Sequence, residues 1–195
     1  MTAADHLDAV IVGGGPRGVA TALRTAARVT SAGTSPVRLA IIDALAVGSG
    51  ATWLIDQPAQ YLNNTQADAT TVHPDDSTPM TGPDAPGPDL VDWARRIRAD
   101  GGHPAGEWVL EEAAELTGAD FPTRRLQGVY FRDQLDAAIA GGAIEVLEVV
   151  ARAVTSPRRG RRPRWCSRTA GGSSPPRWCS PRGWCSPSAA ARSRR

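Results

Sequence analysis

The sequence predicts an α/β fold in which helices flank a parallel sheet, and three observations support this. An apolar run at residues 9–12 (AVIV) leads directly into a glycine-rich turn at residues 13–18, and an alanine-rich helical stretch follows at residues 19–29. A second apolar run, residues 37–42, then ends at Asp43. Short runs of branched apolar residues are typical of parallel strands that are buried on both faces. Strand, helix and strand in this order make one βαβ unit.

The glycine-rich turn carries the pattern G-x-G-x-x-G through Gly13, Gly15 and Gly18. In dinucleotide-binding folds the first glycine allows a tight turn, the second lets the backbone approach a pyrophosphate, and the third lets helix and strand pack closely. The pyrophosphate lies at the positive N-terminus of the helix, where N–H groups are free. With Pro16 and Arg17, these glycines are therefore predicted to bind a nucleotide cofactor. A Rossmann-type sheet is favoured over an ordinary βαβ turn, because the pattern lies between a strand and a helix and an acid ends the next strand.

Asp43 indicates which nucleotide is bound. A carboxylate at the end of the second strand accepts hydrogen bonds from ribose hydroxyls, which favours FAD or NAD over NADP at this site. The chain contains no lysine, so it cannot form the G-x-x-x-x-G-K-[ST] loop of a phosphotransferase. A second glycine loop at residues 48–53 and a long polar segment follow. Such an excursion is more typical of flavoproteins than of NAD-dependent dehydrogenases, so FAD is the predicted cofactor.

At this point the chain resembles a known family. The segments IVGGGPRG, IID, GSGATWLIDQPAQYLNNT and FPTRRLQGVY are similar to those of actinobacterial FAD/NAD(P)-binding flavoproteins grouped with FAD-dependent urate hydroxylase. More distantly, they are similar to those of flavin N-hydroxylating monooxygenases. The resemblance covers residues 8–154, approximately. It implies NAD(P)H-linked redox chemistry on a small molecule, with NAD(P)H as a second cofactor in the longer members, and it leaves the substrate unidentified.

The resemblance also implies where the cofactor binds. It assigns FAD to Gly13, Gly15, Gly18 and Asp43, and it makes the stretch from residue 53 to residue 65 cofactor-proximal. The residues of this stretch that it implicates are Trp53, Gln57, Asn64 and Thr65, and it extends the same role to Arg124. Two positions depart from the family's pattern, since members often carry a hydrophobic residue where Asn63 stands and an aromatic residue where His73 stands.

Downstream, the sequence predicts three helices and a third strand. Asp89 is expected to cap a helix over residues 90–98, which Gly101 and Gly102 end. Further helices are predicted over 107–116 and 126–139, and a strand over 144–154. A solvated loop is expected at 75–88, and the core is expected to include Trp93, Trp108 and Tyr130.

Other chemistry is excluded by the residues that it would need. The three histidines are scattered and the cysteines lack C-x-x-C spacing, so no metal site is predicted. There is no G-x-S-x-G nucleophile motif. No catalytic residue is assigned, because in flavin enzymes the cofactor carries the chemistry. The absence of an 18-residue apolar run and of a basic N-terminal region predicts a cytoplasmic protein without a membrane partner.

The net charge of +2 conceals a sharp asymmetry. Residues 157–195 contain 11 of the 22 arginines, all three cysteines and none of the 20 acids. We therefore predict a nucleotide-binding domain over residues 1–154 and a disordered basic tail over 155–195. The tail allows an alternative function, a non-catalytic protein that binds nucleic acid or anionic surfaces. Nucleic acid is nevertheless disfavoured as a partner.

A shifted reading frame explains this tail more economically. Trp-Cys-Ser occurs at 165–167, 178–180 and 184–186. If serine uses a TCN codon, the same bases read one position earlier are NTG-GTG-YTC, which encodes Val-Val-Leu or Leu-Val-Leu in G/C-rich DNA. The flanking residues permit V-V-L-A-D-G-R followed by V-V-L-A-T-G, a strand, a turn and a second strand. The expected product is an incomplete sheet and an inactive fragment of the flavoprotein.

Overall fold

The computed structural model of the chain describes residues 6–75 and 81–151, together with two short strands near the C-terminus. The chain divides into two compact units, residues 1–152 and residues 153–195. In the second unit, Trp178–Cys179 pairs with Cys185–Ser186 as antiparallel strands. The remainder of the predicted tail, including its expected disorder, lies outside the described residues.

The first unit is built on a three-stranded parallel sheet. Strands β1 (Ala9–Val12), β2 (Val37–Asp43) and β3 (Ile144–Val150) lie in the order β1-β2-β3. Ala9 lies beside Leu39, and β2 pairs along its full length with β3. The predicted third strand thus forms, although its predicted last residues, 152–154, lie outside the described part of the chain.

In the described part of the chain, four α-helices accompany the sheet. They are α1 (Pro16–Ala32), α2 (Leu90–Asp100), α3 (Glu107–Glu115) and α4 (Arg124–Ala140). A 3₁₀ turn, Ala67–Ala69, interrupts the long connection between β2 and α2. A parallel sheet with flanking helices confirms the predicted α/β class.

Local capping explains where the helices begin and end. The side chain of Asp89 accepts a hydrogen bond from the amide of Asp92 at 2.7 Å, which confirms the predicted start of α2. Gly101 ends this helix in the left-handed conformation, as predicted. α4 begins two residues earlier than predicted, because the hydroxyl of Thr123 accepts a hydrogen bond from the amide of Leu126 at 3.1 Å.

One face of the sheet is covered by α1 and α4. From β2 this face presents Leu39 and Ile41, both almost fully buried. Val19 of α1 and Leu135 of α4 belong to the same apolar cluster, as does Ile144 of β3. We call it the inner sheet face. Because α1 and α4 both pack on the inner sheet face, the sheet fixes the positions of the turns that precede these two helices.

A second apolar cluster lies among α2, α3 and α4. Trp93 and Tyr130 are buried in it and their rings contact edge to face at 5.7 Å between centroids. Both were predicted core residues. Trp108 packs at the margin of the cluster, half-buried, and the guanidinium of Arg125 lies 4.2 Å from its ring centroid.

Tyr130→Phe is expected to lower the free energy of unfolding by about 1–3 kcal/mol. The buried phenol donates to the carbonyl of Pro88 at 2.8 Å and accepts from the amide of Val72 at 3.1 Å. Its loss would leave both backbone groups without that partner. Urea unfolding would measure the effect, and Tyr61→Phe is the matched control because Tyr61 is exposed. Equal stability of the two variants would contradict this role.

Burial also raises the pKa of Tyr130 above its usual value of 10.0. The folded state therefore favours the neutral phenol more than the unfolded state does. This contribution to stability is complete below about pH 10 and is lost as the pH rises through the folded pKa. Wild-type protein should show this loss, and Tyr130→Phe should lack it.

Two further findings apply to the described residues only. None of their helices is long and apolar enough to cross a membrane. They also contain no group of three or more His, Cys, Asp or Glu side chains that could hold a metal ion.

Candidate nucleotide-binding site

The first glycine loop joins β1 to α1 through a very close backbone contact. Gly13 has a φ of +107°, and its amide donates to the carbonyl of Ile42 at 2.7 Å. A Cβ atom on Gly18 would lie 2.0 Å from the carbonyl oxygen of Gly13, which is an impossible separation. The first turn of α1 can therefore lie against the loop only because residue 18 has no side chain.

The N-terminus of α1 is open to an anion. Gly15 is the N-cap, no side chain caps the helix, and its first turn contains no acid. Pro16 occupies the first turn, where its missing N–H costs nothing. The remaining N–H groups and the helix dipole favour a negative charge at this position. Arg17, exposed in the same turn, adds a positive charge.

Asp43 holds the two turns at the ends of β1 and β2 together. Its Oδ2 accepts from the amide of Gly14 at 2.8 Å. Its Oδ1 accepts from the amides of Leu45 at 2.9 Å and Ala46 at 3.2 Å. A carboxylate has about four acceptor positions, so these three bonds leave one for a ligand. The structure thus gives Asp43 an organising role, and its contact with ribose stays a prediction.

The second glycine loop packs against the first. The amide of Gly48 donates to the carbonyl of Gly14 at 2.7 Å. A Cβ on Gly50 would lie 2.8 Å from the Cα of Gly15, and Gly50 has a φ of +61°. Gly14, Gly48 and Gly50 therefore shape the site, although none of them was predicted to contact the cofactor. The G-x-G spacing at residues 48–50 indicates a tight turn, but it does not show that the turn packs on Gly14 and Gly15.

Arg132 fixes the second loop to the rest of the domain. Its guanidinium forms ion pairs with Asp136 of α4 at 2.5 Å and with Glu148 of β3 at 2.6 Å. It also donates to the carbonyl of Val47 at 3.4 Å. Hydrogen bonds from the guanidinium to Asp136 raise the pKa of Arg132 above its ordinary value. A Cβ on Gly48 would lie 3.1 Å from the Cα of Arg132, so helix and loop are in direct contact.

The other predicted cofactor-proximal residues, which begin at Trp53, divide into two groups. Trp53 and Gln57 bind the protein itself. The indole of Trp53 packs edge to face on Phe131 at 5.5 Å between centroids, and Gln57 donates to the carbonyl of Leu54 at 2.7 Å. Arg124 donates to the carbonyl of Leu62 at 3.2 Å.

Asn64 and Thr65 form the other group. Both are exposed, and among the described residues their side chains have no hydrogen-bond partner. The structure therefore brings together the two glycine loops and Asp43, and leaves the cofactor contacts of these other residues as predictions.

Comparison with known proteins decides the family. The sequence profile of the FAD-NAD(P)-binding family matches residues 10–174. The chain belongs to this family. The match confirms the resemblance to FAD/NAD(P)-binding flavoproteins, and it extends past residue 154, where the predicted resemblance ended.

Three curated relatives have names that describe N-oxygenation. An L-aspartate N-monooxygenase (nitrosuccinate-forming) of Streptomyces cremeus is 35% identical over 144 residues, 70% of this chain and 21% of the relative. The protein of the same name from Streptomyces davaonensis is 38% identical, over 72% of this chain and 22% of the relative. A nitrosuccinic acid synthase of Aspergillus oryzae is 30% identical, over 72% and 20%. The chain spans about a fifth of the length of these relatives, and their names confirm the link to N-hydroxylating monooxygenases.

The two departures from the family's pattern are both paired in the structure. The side chain of Asn63 accepts from the indole N–H of Trp53 at 2.9 Å and donates to the carbonyl of Pro122 at 3.2 Å. The ring of His73 hydrogen-bonds to the carbonyl of Ala85 at 2.9 Å and to Gln134 at 3.0 Å. The polar side chains at these two positions thus hydrogen-bond the segment that follows the second glycine loop to other parts of the domain.

Proposed function

We propose that this FAD-NAD(P)-binding domain binds FAD, with the pyrophosphate at the N-terminus of α1. The observation that carries the proposal is the close contact between Gly18 and Gly13. It places the uncapped N-terminus of α1 directly against a glycine loop, where a ligand can reach backbone N–H groups. Gly15 and Gly50 extend this surface without any side chain. A pyrophosphate fits such a surface, since its oxygens need N–H donors and close backbone approach.

The acid at the end of β2 supports FAD over NADP. Asp43 retains one acceptor position, which suits a ribose hydroxyl, and its charge opposes a 2′-phosphate. Trp53 to Thr65 would then lie on the flavin side, as the resemblance implies. When bound, FAD supplies two-electron redox chemistry, with NAD(P)H as the electron donor.

The names of the relatives support a proposal for the reaction of the whole protein. We propose that the longer protein is an N-oxygenating flavin monooxygenase that acts on a small amino acid of the L-aspartate type. The present chain would supply its first cofactor-binding part and would not complete the reaction alone. The cytoplasm stays a prediction from the sequence.

Titration with FAD, followed by flavin fluorescence, tests the proposal, and Asp43→Ala sharpens it. Loss of charge-assisted hydrogen bonds should cost about 1.5–3 kcal/mol, which weakens FAD roughly 10- to 150-fold. Asp84→Ala is the control, because Asp84 is exposed and lies in a different loop. Circular dichroism would verify that each variant is folded.

Two results would count against the assignment. If the chain is folded by circular dichroism and takes up no FAD, the assignment of FAD to this site is wrong. If Asp43→Ala binds FAD as tightly as Asp84→Ala does, the ribose contact is wrong although FAD binds.

A further inference from the structure

Helix α4 contains a buried amide whose oxygen forms no hydrogen bond with the protein. Gln127 is only 8% exposed, and no described residue hydrogen-bonds to its Oε1, which is shielded from solvent. Gln134, on the same helix and 6% exposed, shows the usual arrangement, because its amide pairs with the ring of His73 at 3.0 Å. Buried polar atoms without a partner are rare, and they lower stability. The unpaired oxygen of Gln127 therefore indicates a role in binding a ligand.

Gln127 lies on the face of α4 that is turned toward the segment after the second glycine loop. Residues four and seven positions apart share one face of an α-helix, so Gln127, Phe131 and Gln134 lie in one row. The ring of Phe131 contacts the indole of Trp53 edge to face at 5.5 Å between centroids, and Gln134 contacts His73. This row therefore faces the polar segment that contains both Trp53 and His73, and the first part of that segment is predicted to lie beside the cofactor.

A continuous path of contacts joins this part of α4 to the first glycine loop. A Cβ atom on Gly50 would lie 2.8 Å from the Cα of Gly15, and one on Gly128 would lie 3.3 Å from the side chain of Ser49. Gly128 directly follows Gln127 in α4. The second glycine loop thus contacts both the first loop and α4. If the pyrophosphate of FAD lies at the N-terminus of α1, the flavin end of the same molecule can extend past this loop toward Gln127.

The hydrogen-bonding groups of a glutamine side chain match the polar edge of a flavin. The pyrimidine ring of the isoalloxazine carries an N–H group between two carbonyl groups, and a glutamine amide offers an acceptor oxygen and a donor nitrogen. The oxygen can accept from the ring N–H while the nitrogen donates to a neighbouring carbonyl. Because Oε1 of Gln127 makes no protein hydrogen bond, a change of side-chain rotamer toward a ligand would break none at this atom. Gln134 would instead have to release His73.

We propose that Gln127 binds the pyrimidine edge of the isoalloxazine through its side-chain amide. This role rests on the proposed binding of FAD, and it adds a residue of α4 to a site formed by the two glycine loops and Asp43. In the ligand-free protein the same amide lowers stability, since its oxygen is buried without a partner. Removing the amide should therefore raise the stability of the ligand-free chain and lower its affinity for FAD.

Gln127→Met tests both consequences, because methionine has a similar volume and carries no amide. In scanning calorimetry the ligand-free variant should melt about 2–4 °C higher than the wild-type chain, since a buried unpaired group is removed. In a fluorescence titration its FAD dissociation constant should rise about 3- to 10-fold, which corresponds to one lost hydrogen bond. ADP shares the adenosine and the pyrophosphate of FAD but has no flavin, so titration calorimetry should give an unchanged ADP dissociation constant.

Two further variants serve as controls. Gln134→Met should lower the melting temperature, because it leaves the ring of His73 without this partner, and it should leave the FAD affinity of the folded chain nearly unchanged. Asp43→Ala should weaken FAD and ADP together, since both contain the ribose that the proposed function assigns to this carboxylate. The three variants thus separate the flavin end of the site, its nucleotide end and the general stability of α4.

Three results would overturn the inference while FAD binding by the wild-type chain leaves the proposed function intact. The first is a lower melting temperature for Gln127→Met, which would mean that the amide stabilises the fold. The second is an equal FAD affinity of Gln127→Met and the wild type. The third is an equal loss of FAD and ADP affinity in Gln127→Met, which would place its effect at the nucleotide end. A folded wild-type chain that takes up no FAD would contradict the proposed function and the role of Gln127 together.

Discussion

Gly18→Ala is expected to weaken FAD binding by roughly 100-fold or more and to destabilise the domain. The new methyl carbon would lie 2.0 Å from the carbonyl oxygen of Gly13 and 3.5 Å from Ile11. The first obstacle is backbone and cannot rotate away, so α1 must move off the loop. Overpacking of this kind costs typically about 1–3 kcal/mol. The expected loss of affinity corresponds to about 3 kcal/mol, because the N–H groups of the helix leave their positions.

The sign of the stability change makes this prediction diagnostic. In an ordinary helix interior, replacing glycine with alanine stabilises the protein by about 0.5–1 kcal/mol. The clash at Gly18 exceeds that gain, so a net loss is expected in urea unfolding. Gly102→Ala is the matched control, because a Cβ there has no atom within 4 Å. Wild-type affinity and stability in Gly18→Ala would mean that α1 does not pack on Gly13 in solution.

Much of the fold could be predicted because its signals are local. The run at residues 9–12 and the run at residues 37–42 show the strands through their branched apolar residues alone. Asp89 shows the start of α2 because its carboxylate bonds to an amide three residues away. The start of α4 was predicted two residues too late. Thr123 was not recognised as its cap, and the two arginines that follow Thr123 were left outside the predicted helix.

The geometry of the site could be predicted only in part, because its contacts join distant segments. The pattern at Gly13, Gly15 and Gly18 marks the loop, but nothing in the sequence shows that Gly50 packs on Gly15. Nor does it show that Arg132, more than 80 residues later, contacts the second loop. The carboxylate of Asp43 was expected to bind a ligand, and the structure shows it binding the protein's own amides. Such contacts join residues that are far apart in the sequence, and no repeating pattern in the sequence reveals which of these residues will meet.

Gly128→Ala is expected to displace the second glycine loop and to lower both stability and FAD affinity. Gly128 lies inside α4, and a Cβ there would lie 1.9 Å from the carbonyl oxygen of Trp53 and 3.3 Å from the side chain of Ser49. Ser49 is buried, and the closer obstacle, the carbonyl oxygen of Trp53, belongs to the backbone and cannot rotate away. Either the helix or the loop must move, at a cost of typically about 1–3 kcal/mol.

The effect on FAD distinguishes this variant from a general loss of stability. Tyr130→Phe, also in α4, removes hydrogen bonds to the segments at Val72 and Pro88 and should leave the FAD affinity of the folded protein nearly unchanged. Gly128→Ala should weaken it, because Gly50 would lose its contact with Gly15 as the loop moves. FAD titration and urea unfolding of both variants check the prediction. If Gly128→Ala lowers stability but binds FAD as tightly as Tyr130→Phe does, the second glycine loop is structural and does not form part of the nucleotide site.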